Sequence, residues 1–83
     1  MMKMTVEISM YPIRDDYLPP IDDFIALLND YSDLEVDTTP TATRVIGEFE
    51  HLMSVLGDAM ARSYETYGTS VFVTKFLPGY EAR

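Results

Sequence analysis

The chain has 83 residues, no cysteine, and fourteen Asp and Glu against six Lys and Arg, a formal charge of −8. So short a chain supports one core, which excludes two domains and leaves residues 1–83 as a single expected domain. The missing thiols exclude disulfides, thiolate catalysis and zinc–thiolate sites, and the acidic field repels phosphate backbones and anionic lipid, so nucleic acid and membranes are not expected partners.

A hydrophobic content of 47%, with six tyrosines and four phenylalanines, is enough for a packed core. The N-terminal MMKMTVEISM has no continuous apolar run of signal-peptide length, and nothing elsewhere approaches the ~20 apolar residues of a membrane span. A soluble, cytoplasmic protein is the expectation. Domains of this size often gain buried area by oligomerising, so self-association is expected as well.

Met4 to Ile13 reads as the first strand. Val6, Ile8 and Met10 alternate with Glu7, Ser9 and Tyr11, which puts an apolar row on one face and a polar row on the other. Pro12 cannot donate a ladder hydrogen bond and should end the strand or lie at its edge. If this strand is central, Glu7 sits mid-face with little access to water.

A polar connection, Arg14 to Pro20, precedes a helix expected to start near Pro20, with Asp22 and Asp23 complementing its positive end. Ile21, Phe24, Ile25, Leu28 and Tyr31 form its apolar stripe, and it should end between Asn29 and Asp33. Leu34 to Thr38 and Arg44 to Phe49 read as two strands joined by a turn at Pro40. Thr38, Thr39, Thr41 and Thr43 are read first as strand and turn formers and second as hydroxyls lining a site. The pattern leaves open whether Thr43, Val45 and Gly47 or Arg44, Ile46 and Glu48 share a face with Glu7.

A second helix, about Glu50 to Tyr67, carries Leu52, Val55, Leu56, Ala59, Met60 and Tyr64 on one side and stops at Gly68. The final strand, SVFVTKFLPGY, has Val71, Val73 and the stem of Lys75 on one face and Phe72, Thr74 and Phe76 on the other, so both faces are largely apolar.

This order is an α+β, ferredoxin-like βαββαβ plait: a four-stranded antiparallel sheet with two helices on one face. Right-handed crossovers are expected to set the first and last strands side by side in the centre. The helix-free face is expected to carry Glu7, Ser9 and Tyr11 with Phe72, Thr74 and Phe76. An exposed face of that kind points to a homodimer or larger assembly, or to ligand binding.

Catalytic signals are scarce. His51 is the only histidine, no GxSxG elbow or Gly-rich phosphate loop is present, and the adjacent pairs Asp15–Asp16 and Asp22–Asp23 read as solvation and capping. A non-enzymatic role with no cofactor and no metal is the expectation. A carboxylate among hydroxyls and rings can instead accept hydrogen bonds from an amino-heterocycle while the rings stack on it. A buried Glu7 needs a partner, and Lys75 or Arg44 could equally supply one inside a dimer interface.

MTVEISMYPI, TATRVIGEFEHLM and SVFVTKFLPG together resemble the YkoF-type thiamine- or hydroxymethylpyrimidine-binding family of ferredoxin-like domains. The resemblance covers nearly the whole chain and implies non-catalytic binding of thiamine or its aminopyrimidine moiety on the open sheet face near a subunit interface. It implies Glu7 and Ser9 at the pyrimidine edge, Thr41 or Thr43 adding hydroxyl contacts, and Phe72 or Tyr11 stacking. The acidic, proline-rich DDYLPP departs from the family pattern and puts the pocket mouth and ligand identity in question. Two other readings compete: a homo-oligomeric structural or regulatory module without a small ligand, and a small cofactor-free enzyme oxidising aromatic substrates, against which His51 stands badly placed.

Overall fold

A computed structural model describes residues 2–83. The elements run β1 (Lys3–Pro12), α1 (Leu18–Asn29), β2 (Glu35–Thr38), β3 (Thr43–Glu48), α2 (Phe49–Tyr67) and β4 (Ser70–Pro78). The strands form one antiparallel sheet in the order β2-β3-β1-β4, which is the expected ferredoxin-like arrangement. The first and last strands are adjacent, but β4 is not central. The β1-to-β2 crossover leaves room for β3, the β3-to-β4 crossover passes over β1, and β4 therefore emerges at an edge.

The helices start and stop for local reasons. Pro19 and Pro20 occupy the first turn of α1, where a missing N–H costs nothing. Because α1 begins at Leu18, Asp22 and Asp23 fall in its second turn and do not cap it. The Glu48 carboxylate caps α2, accepting from the backbone N–H groups of Glu50 at 2.8 Å and His51 at 3.3 Å. At the other end Gly68 takes φ 83° and donates its N–H to Tyr64 O at 2.8 Å.

Met4, Val6 and Ile8 of β1 and Val45 of β3 meet Phe24 and Leu28 of α1 and Leu52, Val55, Leu56 and Ala59 of α2, with Leu34 closing the core. Gly47 is small for a steric reason: a β-carbon there would overlap Leu34 Cδ2. Among the described residues no helix is long and apolar enough to cross a membrane.

The register decides the faces, because directly opposed residues in an antiparallel pair share one. Phe76, Thr74 and Phe72 oppose Val6, Ile8 and Met10, so they face the helices. This overturns the expectation that they share the open face with Glu7. Val71, Val73, Lys75 and Leu77 are there instead, opposite Tyr11, Ser9, Glu7 and Thr5. In β3, Arg44, Ile46 and Glu48 take the open face, and Thr43, Val45 and Gly47 turn inward.

Candidate functional site

The open face is ordered in rows across the strands. In the first, Thr5, Ile46 and Glu35 are cross-strand neighbours, and the chain end folds over them. The Thr5 hydroxyl donates to Tyr80 O at 2.6 Å and accepts from Ala82 N at 2.9 Å. Arg83 Nε then reaches Glu35 Oε1 at 2.9 Å. Thr5 and Ile46 are left only 1% and 3% exposed, so this face is not bare along its whole length. Glu81 and Glu35 also hold the Arg83 guanidinium above its ordinary pKa, chiefly through hydrogen bonds to the charged form.

The next row runs Lys75, Glu7, Arg44, Asp37 across all four strands, alternating in sign. Lys75 Nζ lies 3.3 Å from Glu7 Oε1, and Arg44 Nη2 lies 3.0 Å from Asp37 Oδ2. The Glu7 side chain is 45% exposed, so it is not the shielded carboxylate expected from a mid-face position. With Asp37, Thr39, Ala42 and Arg44 it borders a shallow depression. Beyond it lie Ser9 and Val73, then Tyr11 and Val71, with Tyr11 exposed.

A second concavity lies on the other side of the hairpin, between sheet and α1. This cleft of about 90 Å³ has apolar walls from Ile8, Met10, Ile21, Phe24 and Ile25 and a polar rim from Ser9 and the Thr38–Thr43 hairpin. Thr39 sets the hairpin: its N–H donates to Ala42 O at 2.9 Å and its hydroxyl accepts from Ala42 N at 3.2 Å. Ser9 Oγ ties β1 to the turn by donating to Thr41 O at 3.0 Å. Inside, the Thr38 and Thr43 hydroxyls are 3.4 Å apart, with Thr43 only 6% exposed. Behind Phe24 stands Phe72, their ring centroids 5.2 Å apart at 45°.

The six residues expected at one site are thus divided by the sheet. Thr43 turns inward to the cleft, Thr41 lines its rim and Phe72 backs its wall; Ser9 also borders the cleft, but its side chain stands with Glu7 and Tyr11 on the open face. Sequence reasoning missed Ile21, Ile25 and Phe24 as walls, since their helical spacing marked them only as core. It also missed the tail over Thr5, for which GYEAR carries no pattern.

Other titratable groups are locally engaged. His51 Nε2 is 3.0 Å from Asp33 Oδ2, with its ring edge-on to Tyr31. Among the described residues no three His, Cys, Asp or Glu side chains converge to hold a metal ion. The Tyr67 hydroxyl donates to Asp23, which holds its pKa above the ordinary value, and Arg14 lies 5.2 Å above the Tyr67 ring.

Fold and site together define a ferredoxin-like protein with a small polar-rimmed cleft beside its β2–β3 hairpin. No protein-family model matches the chain, and no curated protein sequence does. Solved structures do. A protein from Streptococcus pneumoniae matches with a TM-score of 0.81 and 25% identity, covering 89% of this chain and 83% of that one. A candidate thiamine biosynthesis/salvage protein from Thermotoga maritima matches with a TM-score of 0.77 and 25% identity, over 95% of this chain and 84% of its own. A domain of unknown function, DUF77, from Bacillus cereus matches at 0.71 and 17% identity, covering 89% and 73%, and supports the fold alone. The match to the Thermotoga protein agrees, at this coarse level, with the thiamine-related resemblance read from the sequence.

Proposed function

We propose that this protein binds thiamine or its hydroxymethylpyrimidine moiety without converting it, and that the cleft beside the hairpin is the binding site. The observation that carries this reading is the cleft's construction: apolar walls, a phenylalanine ring among them, beside the threonine-rich hairpin. A planar heteroaromatic buries its faces against such walls while its edge meets hydroxyls and carbonyls. The likeness to the Thermotoga protein supports the ligand class, and the charge of −8 favours approach of a cation such as thiamine. In this reading Ser9, Thr41 and Thr43 serve the ligand, Phe72 braces Phe24, and Glu7 stands outside the cleft.

Isothermal titration with thiamine and with hydroxymethylpyrimidine tests it, using wild type, Thr43→Val and Glu7→Ala. Removing one hydroxyl that contacts the ligand should weaken binding about tenfold, and Glu7→Ala should leave it unchanged. Loss in Glu7→Ala with retention in Thr43→Val would move the site to the open face; no binding of either compound by wild type would reject the reading.

A second reading, an interaction module without a small ligand, is favoured by the pairing of Glu7 with Lys75 inside the chain. It predicts self-association with no heat from either compound.

A further inference from the structure

We propose that the groove between the two helices is a second binding site, for a small apolar α-amino acid held by both of its charges. Its walls follow from helix geometry. Pro20, Asp23 and Phe24 of α1, and Ala59, Ser63 and Tyr67 of α2, recur at three- and four-residue spacing, so each set lies along one face of its helix. With Arg62 beside them they line a cavity of about 120 Å³. Sites for drug-sized ligands run to roughly 300–1,000 Å³, so the occupant here is a molecule of a few heavy atoms.

Burial divides the lining into floor and rim. Pro20, Phe24 and Ala59 are buried and make an apolar floor, with Ser63 among them at 9% exposed. A serine inside a helix ordinarily places its hydroxyl on the carbonyl one turn back. Ser63 Oγ is buried and has no hydrogen-bond partner among the described residues. Buried polar atoms are nearly always paired, so this hydroxyl calls for a group brought into the groove.

A water would answer for the hydroxyl alone, but the rim carries both signs of charge. Arg62 is exposed and pairs with no carboxylate among the described residues, on a chain with fourteen acids where Arg44, Lys75 and Arg83 are all paired. Asp23 is held from behind: the Tyr67 hydroxyl donates to its Oδ2, and Arg14 lies above the Tyr67 ring. That leaves Asp23 Oδ1 free to accept, already fixed in place before anything binds. An acid and an unpaired arginine on one small rim match the α-ammonium and α-carboxylate of an amino acid, and the floor matches a short hydrocarbon side chain. An apolar carboxylate alone would meet Asp23 unpaired, and an amine alone would leave Arg62 unused. The groove and the cleft of the proposed function have only Phe24 in common, so either site stands without the other.

The test is an amide NMR titration of the full chain with L-valine, isovalerate and isobutylamine, which carry both charges, the carboxylate alone and the ammonium alone. L-Valine should give saturable shifts at Asp23, Arg62 and Ser63, and each single-charge probe should bind at least about tenfold more weakly. Arg62→Gln keeps an exposed polar side chain on α2 and should weaken valine binding about tenfold or more, and Ser63→Ala should weaken it several-fold. An affinity unchanged in either variant overturns the site, and a single-charge probe that binds as tightly as valine overturns the amino-acid class. Valine shifts confined to the Thr38–Thr43 hairpin, or no saturable shift at all, overturn the proposal; in the second case water alone serves the Ser63 hydroxyl.

Discussion

Thr5→Val should loosen the chain end from the sheet, and its size can be worked from two hydrogen bonds. The substitution keeps the side-chain volume and removes a hydroxyl that donates to Tyr80 O at 2.6 Å and accepts from Ala82 N at 2.9 Å. Each bond contributes about 0.5–1.5 kcal/mol net. Tyr80 is exposed and can turn its carbonyl to water, so the lower half of the summed range applies, about 1–2 kcal/mol. For a domain of this size each kcal/mol lowers the melting temperature by roughly 4–8 °C. Release of the tail should also expose Ile46, which lies beside Thr5 on that face and is 3% exposed. Calorimetry should show the lower melting temperature, and hydrogen exchange should show faster exchange at Ala82. A variant that melts with wild type and still protects the Ala82 amide would refute the claim that Thr5 pins the tail.

Phe72→Ala should cost about 2–3 kcal/mol in urea unfolding, because Phe72 packs inward on Phe24, whereas Tyr11→Ala on the open face should stay within about 0.5 kcal/mol; equal losses would contradict the register. Glu7→Gln should change stability by less than about 1 kcal/mol, since it breaks one half-exposed cross-strand ion pair; a larger loss would mean that Glu7 is held by more than Lys75. Tyr67 should ionise above the ordinary tyrosine range of about 10, because the tyrosinate loses its bond to Asp23 and faces a carboxylate. A raised folded-state pKa stabilises fully below the unfolded value, and that stability fades as pH rises through the folded one. The ultraviolet difference titration of wild type against Tyr67→Phe should therefore show its missing step on the alkaline side, and a step at or below the ordinary value would refute the assignment.

Much of the site was legible only in pieces. Thr41 and Thr43 read as hydroxyls able to line a site, and both border the cleft, whereas the Ser9 side chain stands on the open face at its rim. Glu7 drew attention as a mid-face acid among hydroxyls and rings; its alternation is right, since it lies on the face away from the core, but it is half-exposed and the phenylalanines are on the other face. What one strand's alternation does not contain is the identity of its neighbours, so the choice of Lys75 over Arg44 as the partner of Glu7 came only with the sheet register and the ion pairs it sets.

By itself the sequence determined the order of elements, the inward row Val6, Ile8 and Met10, the stop at Gly68 and the buried centre of each helix stripe, because each rests on contacts or dihedral preferences within a few residues; Met60 and Tyr64, expected on the inner side of α2, are exposed, and Tyr31 lies beyond the end of α1. Tertiary structure decided which face of β4 is which. Val71 and Val73 are as apolar as Phe72 and Phe76, so burial pattern is silent, and a one-residue slip exchanges the two sets. It also decided that β4 lies at an edge and that Thr5 takes the chain end, since both depend on residues more than sixty positions apart being brought together by crossovers that no local pattern encodes.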